Sequence, residues 1–185
     1  ILLSSLDGAA ITSIKIDGVL HEFSTIPGIR EDVTDIILNL KQLCIKVEEE
    51  AQLPLEVHFD FQKDGILTAA DLAEQFPPEV EVLNPELVIA TMDETAHLVM
   101  DVVIERGKGY VPSTKNKKDT DVIGCIPIDS IFSPILRAKY EVSDVRVGNE
   151  MDFDKLTLEV WTDGSITAAD AVAKSAAIMI GYLGN

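Results

Sequence analysis

Several side chains of this 185-residue sequence are of the types that carry out acid–base or metal chemistry. His21 and Glu22 are adjacent, with Asp17 close by in the chain. Asp152 and Asp154 are separated by one residue, which in a strand would place both carboxylates on one face. Paired carboxylates can hydrolyse glycosides, and histidine with carboxylates can hold a metal or move a proton.

None of these groups forms a complete site. A metal needs three or four converging ligands, whereas His58 and His97 stand isolated on strand-like segments, so structural hydrogen bonding is the favoured interpretation of His21. The two aspartates at 152 and 154 are more typical of a turn before a strand. Gly107-Lys108-Gly109 lacks the remaining positions of a phosphate-binding loop, and the serines have no matching base. We therefore predict no catalytic residue, no metal and no cofactor. An independent acidic hydrolase using Asp152 and Asp154, or a small-molecule-binding domain, is the alternative function.

The charge of the chain argues against direct DNA binding. Acidic residues outnumber basic ones 32 to 15, for a formal net charge of −17. Duplex-binding surfaces are built mainly from Lys and Arg, which displace phosphate counterions. The basic cluster of the chain is interleaved with small polar residues, as in a solvated loop, and consists of Lys108, Lys115, Lys117 and Lys118. We expect a protein without direct DNA contacts.

The apolar residues, 46% of the chain, suit a globular protein and include no run of 18 that would span a membrane. Cys44 and Cys125 lie far apart among apolar neighbours, as buried free thiols do in a reducing compartment. The first residues lack the basic leader of a secretory signal. We expect a cytoplasmic protein that does not associate with membranes.

The most strongly specified element is an amphipathic helix after the turn at Pro27-Gly28. Its apolar residues recur at three- and four-residue steps: Val33, Ile36, Ile37, Leu40, Leu43 and Cys44. Glu31 and Asp32 stand where a first helical turn favours negative charge, and Lys41 stands near the other end. Around this helix, alternating segments such as 55–62, 98–105, 137–147 and 155–161 predict strands. The segment 113–121 is predicted to be a mobile loop.

Both ends of the chain are predicted to be helical and apolar. Residues 1–6 form a helical turn or two, and Thr167 caps a final alanine-rich helix. Because that helix has few charged positions, it must be buried in its own domain or pack against another copy. Many strands with few helices predict an α+β fold of mainly antiparallel sheets.

Five segments resemble one known family, in the same order along the chain. They are ILLSSLDGAAITSIKIDG at 1–18, GVLHEFSTIPGIREDVTDIILNLK at 18–41, ERGKGYVP at 105–112, PIDSIFSPILRAKYEV at 127–142 and DKLTLEVWTDGSITAADAV at 154–172. Together they resemble the N-terminal domain of the bacterial DNA-directed RNA polymerase alpha subunit. That resemblance implies a non-catalytic scaffold of a nucleotidyltransferase complex, which dimerises and recruits the beta and beta-prime subunits for transcription. It also leads us to expect an incomplete chain, without the family's N-terminal strand and C-terminal DNA-binding domain.

The resemblance implies two subdomains. A discontinuous dimerisation subdomain of terminal helices would comprise residues 1–8 and 134–185, and an inserted β-rich subdomain would comprise residues 9–133. The implied homodimer interface consists of Ile1, Leu2, Leu6, Ala171, Ile178, Met179 and Tyr182.

The resemblance also implies two sets of contacts with the large subunits. The beta-subunit set consists of Leu3, Ser4, Ser5, Glu31, Asp32, Asn39 and Lys41. The beta-prime set consists of Asp129, Phe132, Ser133, Pro134, Arg137 and Arg146.

Overall fold

The chain has the predicted α+β fold, with strands that pair antiparallel. A computed structural model describes residues 1–118, 122–147 and 150–184. The strands are β1 Asp7–Ile16, β2 Ile45–Val47, β3 Leu55–Phe61, β4 Gly65–Thr68, β5 Val80–Val82, β6 Val88–Met92, β7 Leu98–Lys108, β8 Tyr110–Val111, β9 Cys125–Pro127, β10 Ser130–Ile131, β11 Ile135–Val147 and β12 Glu150–Thr162. The helices are α1 Val33–Leu40, α2 Ala69–Gln75, α3 Ser113–Asn116 and α4 Ala168–Leu183.

A four-stranded sheet of order β3-β7-β1-β9 carries the larger hydrophobic core. Strand β3 alternates as predicted: Val57, Phe59 and Phe61 are buried, whereas the residues between them are exposed. This alternation gives the sheet one apolar face, because successive side chains of a strand point to opposite faces. Strands β4 and β6 and the helices α1 and α2 contribute to the same core.

Helix α1 is shorter than its apolar periodicity predicts. It begins after Asp32, whose carboxylate accepts a hydrogen bond from the Asp35 amide at 2.8 Å, and ends at Leu40 rather than Cys44. The amide of Leu43 donates to the carbonyl of Leu40 at 3.1 Å, a tighter turn than the α-helix makes. Leu43 still packs against the core, so the pattern identified a buried side chain correctly but extended the helix too far.

A smaller hydrophobic cluster joins the two ends of the chain. Its buried members are Leu6, Ile135 and Ala171, and Leu2, Val160, Ile166 and Ile178 pack around them. The cluster lies where the N-terminal turn, the β11–β12 hairpin and helix α4 meet. Helix α4 begins as predicted, because the Thr167 hydroxyl accepts a hydrogen bond from the Asp170 amide at 3.1 Å.

Helix α4 is not buried in its own chain, which rules out the first of the two predicted environments. Its buried residues are Ala171 and Ser175, whereas Ile180, Tyr182 and Leu183 are 70%, 79% and 84% exposed. The β11–β12 hairpin also carries exposed apolar side chains, among them Leu136, Tyr140, Val142, Phe153, Leu156 and Leu158. Much of the apolar surface of both elements is therefore not covered by the described residues of this chain.

Phe132 is buried beside a pair of glycines in β1 and β7. Gly8 of β1 pairs with Gly107 of β7, and a methyl group on either glycine would collide with this residue. A Cβ on Gly8 would lie 1.8 Å from the Phe132 carbonyl oxygen, and one on Gly107 would lie 2.8 Å from its ring. The absence of side chains at these two glycines thus leaves a slot that Phe132 occupies. This slot lets the 127–135 segment approach the sheet closely as it crosses.

One local prediction agrees with the structure and two need correction. Residues 1–6 contain a single turn, within the predicted one or two, closed by the Ser5 amide donating to the Ile1 carbonyl at 2.9 Å, and β1 begins at Asp7. Residues 113–116 of the predicted mobile loop are the short helix α3, and its residues 119–121 lie outside the described chain. Asp152 and Asp154 lie within β12, not in a turn before it, because that strand begins at Glu150.

Candidate assembly surfaces

Asp129 ties helix α1 to the segment between β9 and β10. Lys41 Nζ donates to Asp129 Oδ2 at 2.7 Å, and the Ser113 amide donates to Asp129 Oδ1 at 2.8 Å. These hydrogen bonds, that of Lys41 foremost, lower the pKa of Asp129 to about 2. The carboxylate therefore stays ionised in the folded protein and joins Lys41 of the predicted beta set to a residue of the predicted beta-prime set.

Two residues of the beta set, Glu31 just before α1 and Asn39 within it, hold the helix against strand β6. Burial would raise the pKa of Glu31, but hydrogen bonds from the Thr91 amide at 2.6 Å and hydroxyl at 2.9 Å outweigh burial and lower it. Asn39 donates its side-chain amide to the Ile89 carbonyl at 2.9 Å. Glu31, Asp32 and Asn39 therefore each have a structural partner within the chain.

The N-terminal turn places part of the beta set at the surface. Leu3 is 53% exposed, Ser4 is exposed and Ser5 is half-buried. The turn packs close to Gly109, where an added Cβ would lie 3.6 Å from the Ser4 carbonyl oxygen. Leu3 thus presents an apolar side chain to solvent from a turn that the fold holds in place.

The predicted beta-prime set divides by burial. Phe132 and Pro134 are buried within the chain, Ser133 is half-buried, and Arg137 is exposed. The Arg137 guanidinium carbon lies 3.7 Å above the centre of the Trp161 ring, a cation–π contact that fixes its direction. Arg146 lies in β11, and its side chain is outside the described part of the structure.

The predicted dimer set divides in the same way. Leu6 and Ala171 are buried in the smaller cluster, and Leu2 and Ile178 pack against it. Ile1, Met179 and Tyr182 are 45%, 47% and 79% exposed, so they remain available to a second chain.

Sequence reasoning missed several exposed apolar residues beside this set. They are Val172, Ile180 and Leu183 on α4 and Leu136, Tyr140, Val142, Leu156 and Leu158 on the hairpin. Both strands contain apolar residues at neighbouring as well as alternating positions, and that departure from a strict two-residue period was the available signal.

The polar groups considered for chemistry pair with one another. His58 Nδ1 lies 2.6 Å from Asp101 Oδ1, and His97 Nε2 lies 2.8 Å from Asp60 Oδ1, so each of these histidines has one carboxylate partner rather than a converging set of ligands. His21 contacts the Ser24 hydroxyl at 3.3 Å, the structural hydrogen bond that we predicted.

The other groups considered for chemistry are carboxylates and thiols. Residues 1–118, 122–147 and 150–184 contain no group of three or more metal-ligating side chains. Asp154 pairs with Asp144 across the hairpin, and the side chain of Asp152 is outside the described part. Cys44 and Cys125 are free and half-buried, and burial raises the pKa of the Cys44 thiol. No helix in the described residues is long and apolar enough to cross a bilayer.

Comparisons with known proteins agree over nearly the whole sequence. The family model described as "RNA polymerase Rpb3/RpoA insert domain" matches residues 14–133. The chain is 55% identical over 183 residues to a DNA-directed RNA polymerase subunit alpha of Carboxydothermus hydrogenoformans, and 52% identical over 182 residues to that of Moorella thermoacetica. A subunit alpha of Leptospira biflexa is 52% identical over 183 residues. These matches cover 98–99% of this chain but only 56–57% of the relatives, so the chain spans little more than half of their length.

Proposed function

The chain belongs to the family of bacterial DNA-directed RNA polymerase alpha subunits, and from this we propose that it is a non-catalytic scaffold for polymerase assembly. In this proposal it forms a homodimer in the cytoplasm and recruits the beta and beta-prime subunits for transcription. The chemistry of RNA synthesis belongs to those large subunits. No contact of this segment with DNA is required, in keeping with its net charge of −17.

The observation that carries the proposal is the exposed apolar surface formed by helix α4 and the β11–β12 hairpin. A two-stranded ribbon is marginally stable on its own, and an extensive apolar surface is typical of a protein interface. Here the ribbon has large apolar side chains exposed, such as Tyr140 at 74% and Leu136 at 67%. Contacts with other chains would remove this surface from water.

The proposed division into subdomains is supported by the separation of the two hydrophobic clusters. The buried members of the larger cluster lie between Ile11 and Ile128, inside the proposed insert of residues 9–133. The smaller cluster draws on Leu6, Ile135 and Ala171, inside the proposed dimerisation unit of residues 1–8 and 134–185.

Within the proposed dimerisation unit, Ile1, Met179 and Tyr182 would meet the second copy directly. Leu2, Leu6, Ala171 and Ile178 would support that interface from the cluster behind it.

The contacts with the large subunits are proposed to differ between the two copies. In one copy, Leu3, Ser4 and Ser5 would contact the beta subunit together with the outer surface of α1. In the other, Ser133 and Arg137 would contact beta-prime, together with Arg146. Asp129 and Lys41 would act mainly on each other, and Phe132 and Pro134 would hold the segment in shape from within.

Native mass spectrometry of the full-length subunit mixed with the beta and beta-prime subunits tests the proposal. We expect a species that contains two copies of this protein and one of each large subunit. The Arg137→Ala variant should still dimerise but bind beta-prime more weakly, whereas Glu94→Ala, an exposed change in the β6–β7 turn, should assemble normally. A persistent monomer that binds neither large subunit would refute the scaffold function.

A further inference from the structure

Strand β3 is the outermost strand of the four-stranded sheet in the described chain, and its outer edge is covered at only one position. At that position, Asp60, the side-chain amide of Gln75 makes the hydrogen bonds that the backbone of a neighbouring strand would make. The Asp60 amide donates to Gln75 Oε1 at 3.1 Å, and Gln75 Nε2 donates to the Asp60 carbonyl at 3.0 Å. Gln75 therefore satisfies both backbone groups of Asp60 on the side away from β7.

The geometry of antiparallel pairing extends this observation along the strand. Alternate residues direct both of their backbone groups to the same side. The backbone groups of Asp60 point outward, so the backbone groups of His58 and Glu56 point outward as well. In the register of β3 with β7, His58 stands opposite Asp101 and Glu56 opposite Val103, as pairs without backbone hydrogen bonds between the strands. Among the described residues, no partner occupies these outward groups of His58 and Glu56. Two adjacent pairing positions are thus open.

A groove of about 540 Å³ opens at the beginning of this edge. Its wall includes Ala51, Leu55, Pro77, Glu48, Glu50 and Glu79. Pro77 comes two residues after Gln75, the last residue of helix α2, and Gln75 lies on the outer edge of β3. Groove and edge are therefore on the same side of the sheet. An extended peptide that pairs with β3 would direct alternate side chains into this groove.

The charges around the groove select the kind of peptide. Glu48, Glu50 and Glu79 are exposed at its rim, and Glu56 extends the acidic surface along the strand. The nearby Arg106 lines a different groove, and its guanidinium donates to the carbonyls of residues 47–49 at 3.0–3.5 Å. Exposed edges are commonly protected by Lys or Pro, and β3 (LEVHFDF) contains neither.

We propose that the outer edge of β3 at Glu56 and His58, with the acidic groove beside it, binds an extended, basic segment of a partner protein by strand addition. Main-chain hydrogen bonds would hold the segment to β3, an apolar side chain would enter the groove against Leu55 and Pro77, and its Lys or Arg residues would face the three rim glutamates. The pairing positions on β3 are not among the residues proposed above for dimer or large-subunit contacts, although Lys174 of helix α4 lies 3.6 Å from Glu49 beside the groove. The proposal does not depend on the scaffold function.

Peptide binding to the full-length subunit tests the main-chain component. The probe is a fluorescein-labelled seven-residue peptide of alternating Lys and Val, measured by fluorescence anisotropy. The control peptide has the same side chains and charge, but every internal amide is N-methylated, which removes its donors. We expect the unmodified peptide to bind at least about tenfold more tightly, because several main-chain hydrogen bonds are lost in the control.

Two pairs of protein variants locate the site. His58→Pro removes an outward amide without removing a bond to β7, and should weaken binding about tenfold. His58→Thr also removes the imidazole but keeps the amide, and should bind as the unaltered protein does. Glu50→Lys should weaken binding, whereas Glu94→Lys, which makes the same change of net charge in a remote turn, should have a much smaller effect.

The proposal is overturned if the unmodified peptide fails to bind at millimolar concentration. It is also overturned if both peptides bind equally, because that result indicates adsorption to an acidic surface. Equal peptide binding by the His58→Pro and His58→Thr proteins would mean that the peptide does not pair with β3 at His58, and would overturn the proposed site. If the proline variant does not fold, the two peptides on the unaltered protein and the two glutamate variants decide the outcome.

Discussion

The ammonium group of Lys41, at the end of helix α1, lies 2.7 Å from the carboxylate of Asp129, which is 88 residues away in the chain. Asp129 also accepts a hydrogen bond from the amide of Ser113, at the beginning of α3. One carboxylate thus connects α1, α3 and the segment that leads to Phe132. Within a single chain, this carboxylate therefore joins the segments proposed to contact beta and beta-prime, even though each copy would use only one of the two contacts.

Loss of the Lys41–Asp129 ion pair should lower the free energy of unfolding. The two side chains are only 25% and 31% exposed, so Lys41→Met should cost about 1–2 kcal/mol in urea denaturation at neutral pH. The matched control is Lys139→Met, because the Lys139–Glu159 pair is longer, at 3.7 Å, and about half exposed. That control should cost less than about 0.5 kcal/mol. Equal effects of the two substitutions would contradict the structural importance of the partly buried Lys41–Asp129 pair.

The same carboxylate should make stability depend on pH in the acidic range. Its pKa falls from an ordinary 3.8 to about 2 on folding, so its ionisation stabilises the folded state above about pH 4. This contribution should disappear as the pH falls from about 4 to 2. Asp129→Asn should therefore be less stable than the unaltered protein at pH 6 but converge with it near pH 2, as measured by urea denaturation. A constant difference across this range would contradict the prediction.

Replacement of Gly107 or Gly8 by alanine should lower the free energy of unfolding, for a different reason at each position. Gly107→Ala meets the Phe132 ring and should cost about 1–3 kcal/mol, whereas Gly8→Ala meets the Phe132 backbone carbonyl and should cost at least as much. Adding Phe132→Leu removes part of the ring, so it should relieve Gly107→Ala but not Gly8→Ala. A double-mutant cycle of unfolding free energies checks this, with coupling of about 1 kcal/mol expected only for the Gly107 pair. Coupling of the same size for the Gly107–Phe132 pair and the Gly8–Phe132 pair would contradict the proposed packing of the Phe132 ring against Gly107.

A charge on the exposed apolar face of α4 should separate the proposed dimer. Met179→Glu would bury an unpaired carboxylate between two copies, and analytical ultracentrifugation should then detect monomers. Ile178→Glu should have this effect as well, but it would also disturb the chain's own cluster, so Met179 is the cleaner test. Ala73→Glu is the control, because Ala73 is an exposed alanine on helix α2, which packs in the larger cluster rather than on the α4 surface. An unaltered dimer in the Met179 variant would mean that this face of α4 is not the interface.

Removal of the Glu31 carboxylate should loosen the contact of α1 with strand β6. Glu31→Ala leaves the amide and hydroxyl of Thr91 without their acceptor, and should cost about 1–3 kcal/mol. Because the pKa of Glu31 is lowered on folding, this stabilisation should be present at neutral pH and lost under acidic conditions. Hydrogen exchange of the Thr91 amide should accelerate in the variant, while that of Val102 in the central strand β7 should change little. Unchanged protection of Thr91 would contradict the proposed link.

Local patterns predicted much of the fold. The alternation in β3 and the cap at Thr167 correspond to observed elements because each depends on residues within a few positions of one another. Boundaries were less predictable: α1 ends at Leu40 although apolar spacing continues to Cys44, because a buried side chain need not be helical. The short helix α3 was missed because its stability comes from Asp129, a residue distant in sequence.

The resemblance predicted the candidate contact surfaces as segments, and the structure decided which of their side chains are exposed. Phe132 and Pro134 stand within a segment that the resemblance marks as a contact, yet both are buried. In contrast, Ile180 and Leu183 are exposed although their apolar character alone suggests a core. Side-chain type does not determine exposure when an apolar face can be covered either by the same chain or by another one.

By itself, the sequence determined the family, the α+β class and the amphipathic character of the main elements, because these follow from residue order and local periodicity. Only the tertiary structure decided that Lys41 meets Asp129, that Phe132 enters the slot between Gly8 and Gly107, and that the edge of β3 beyond Gln75 is open. These relationships join residues far apart in the chain. They depend on strand register and close packing, which local sequence patterns do not specify.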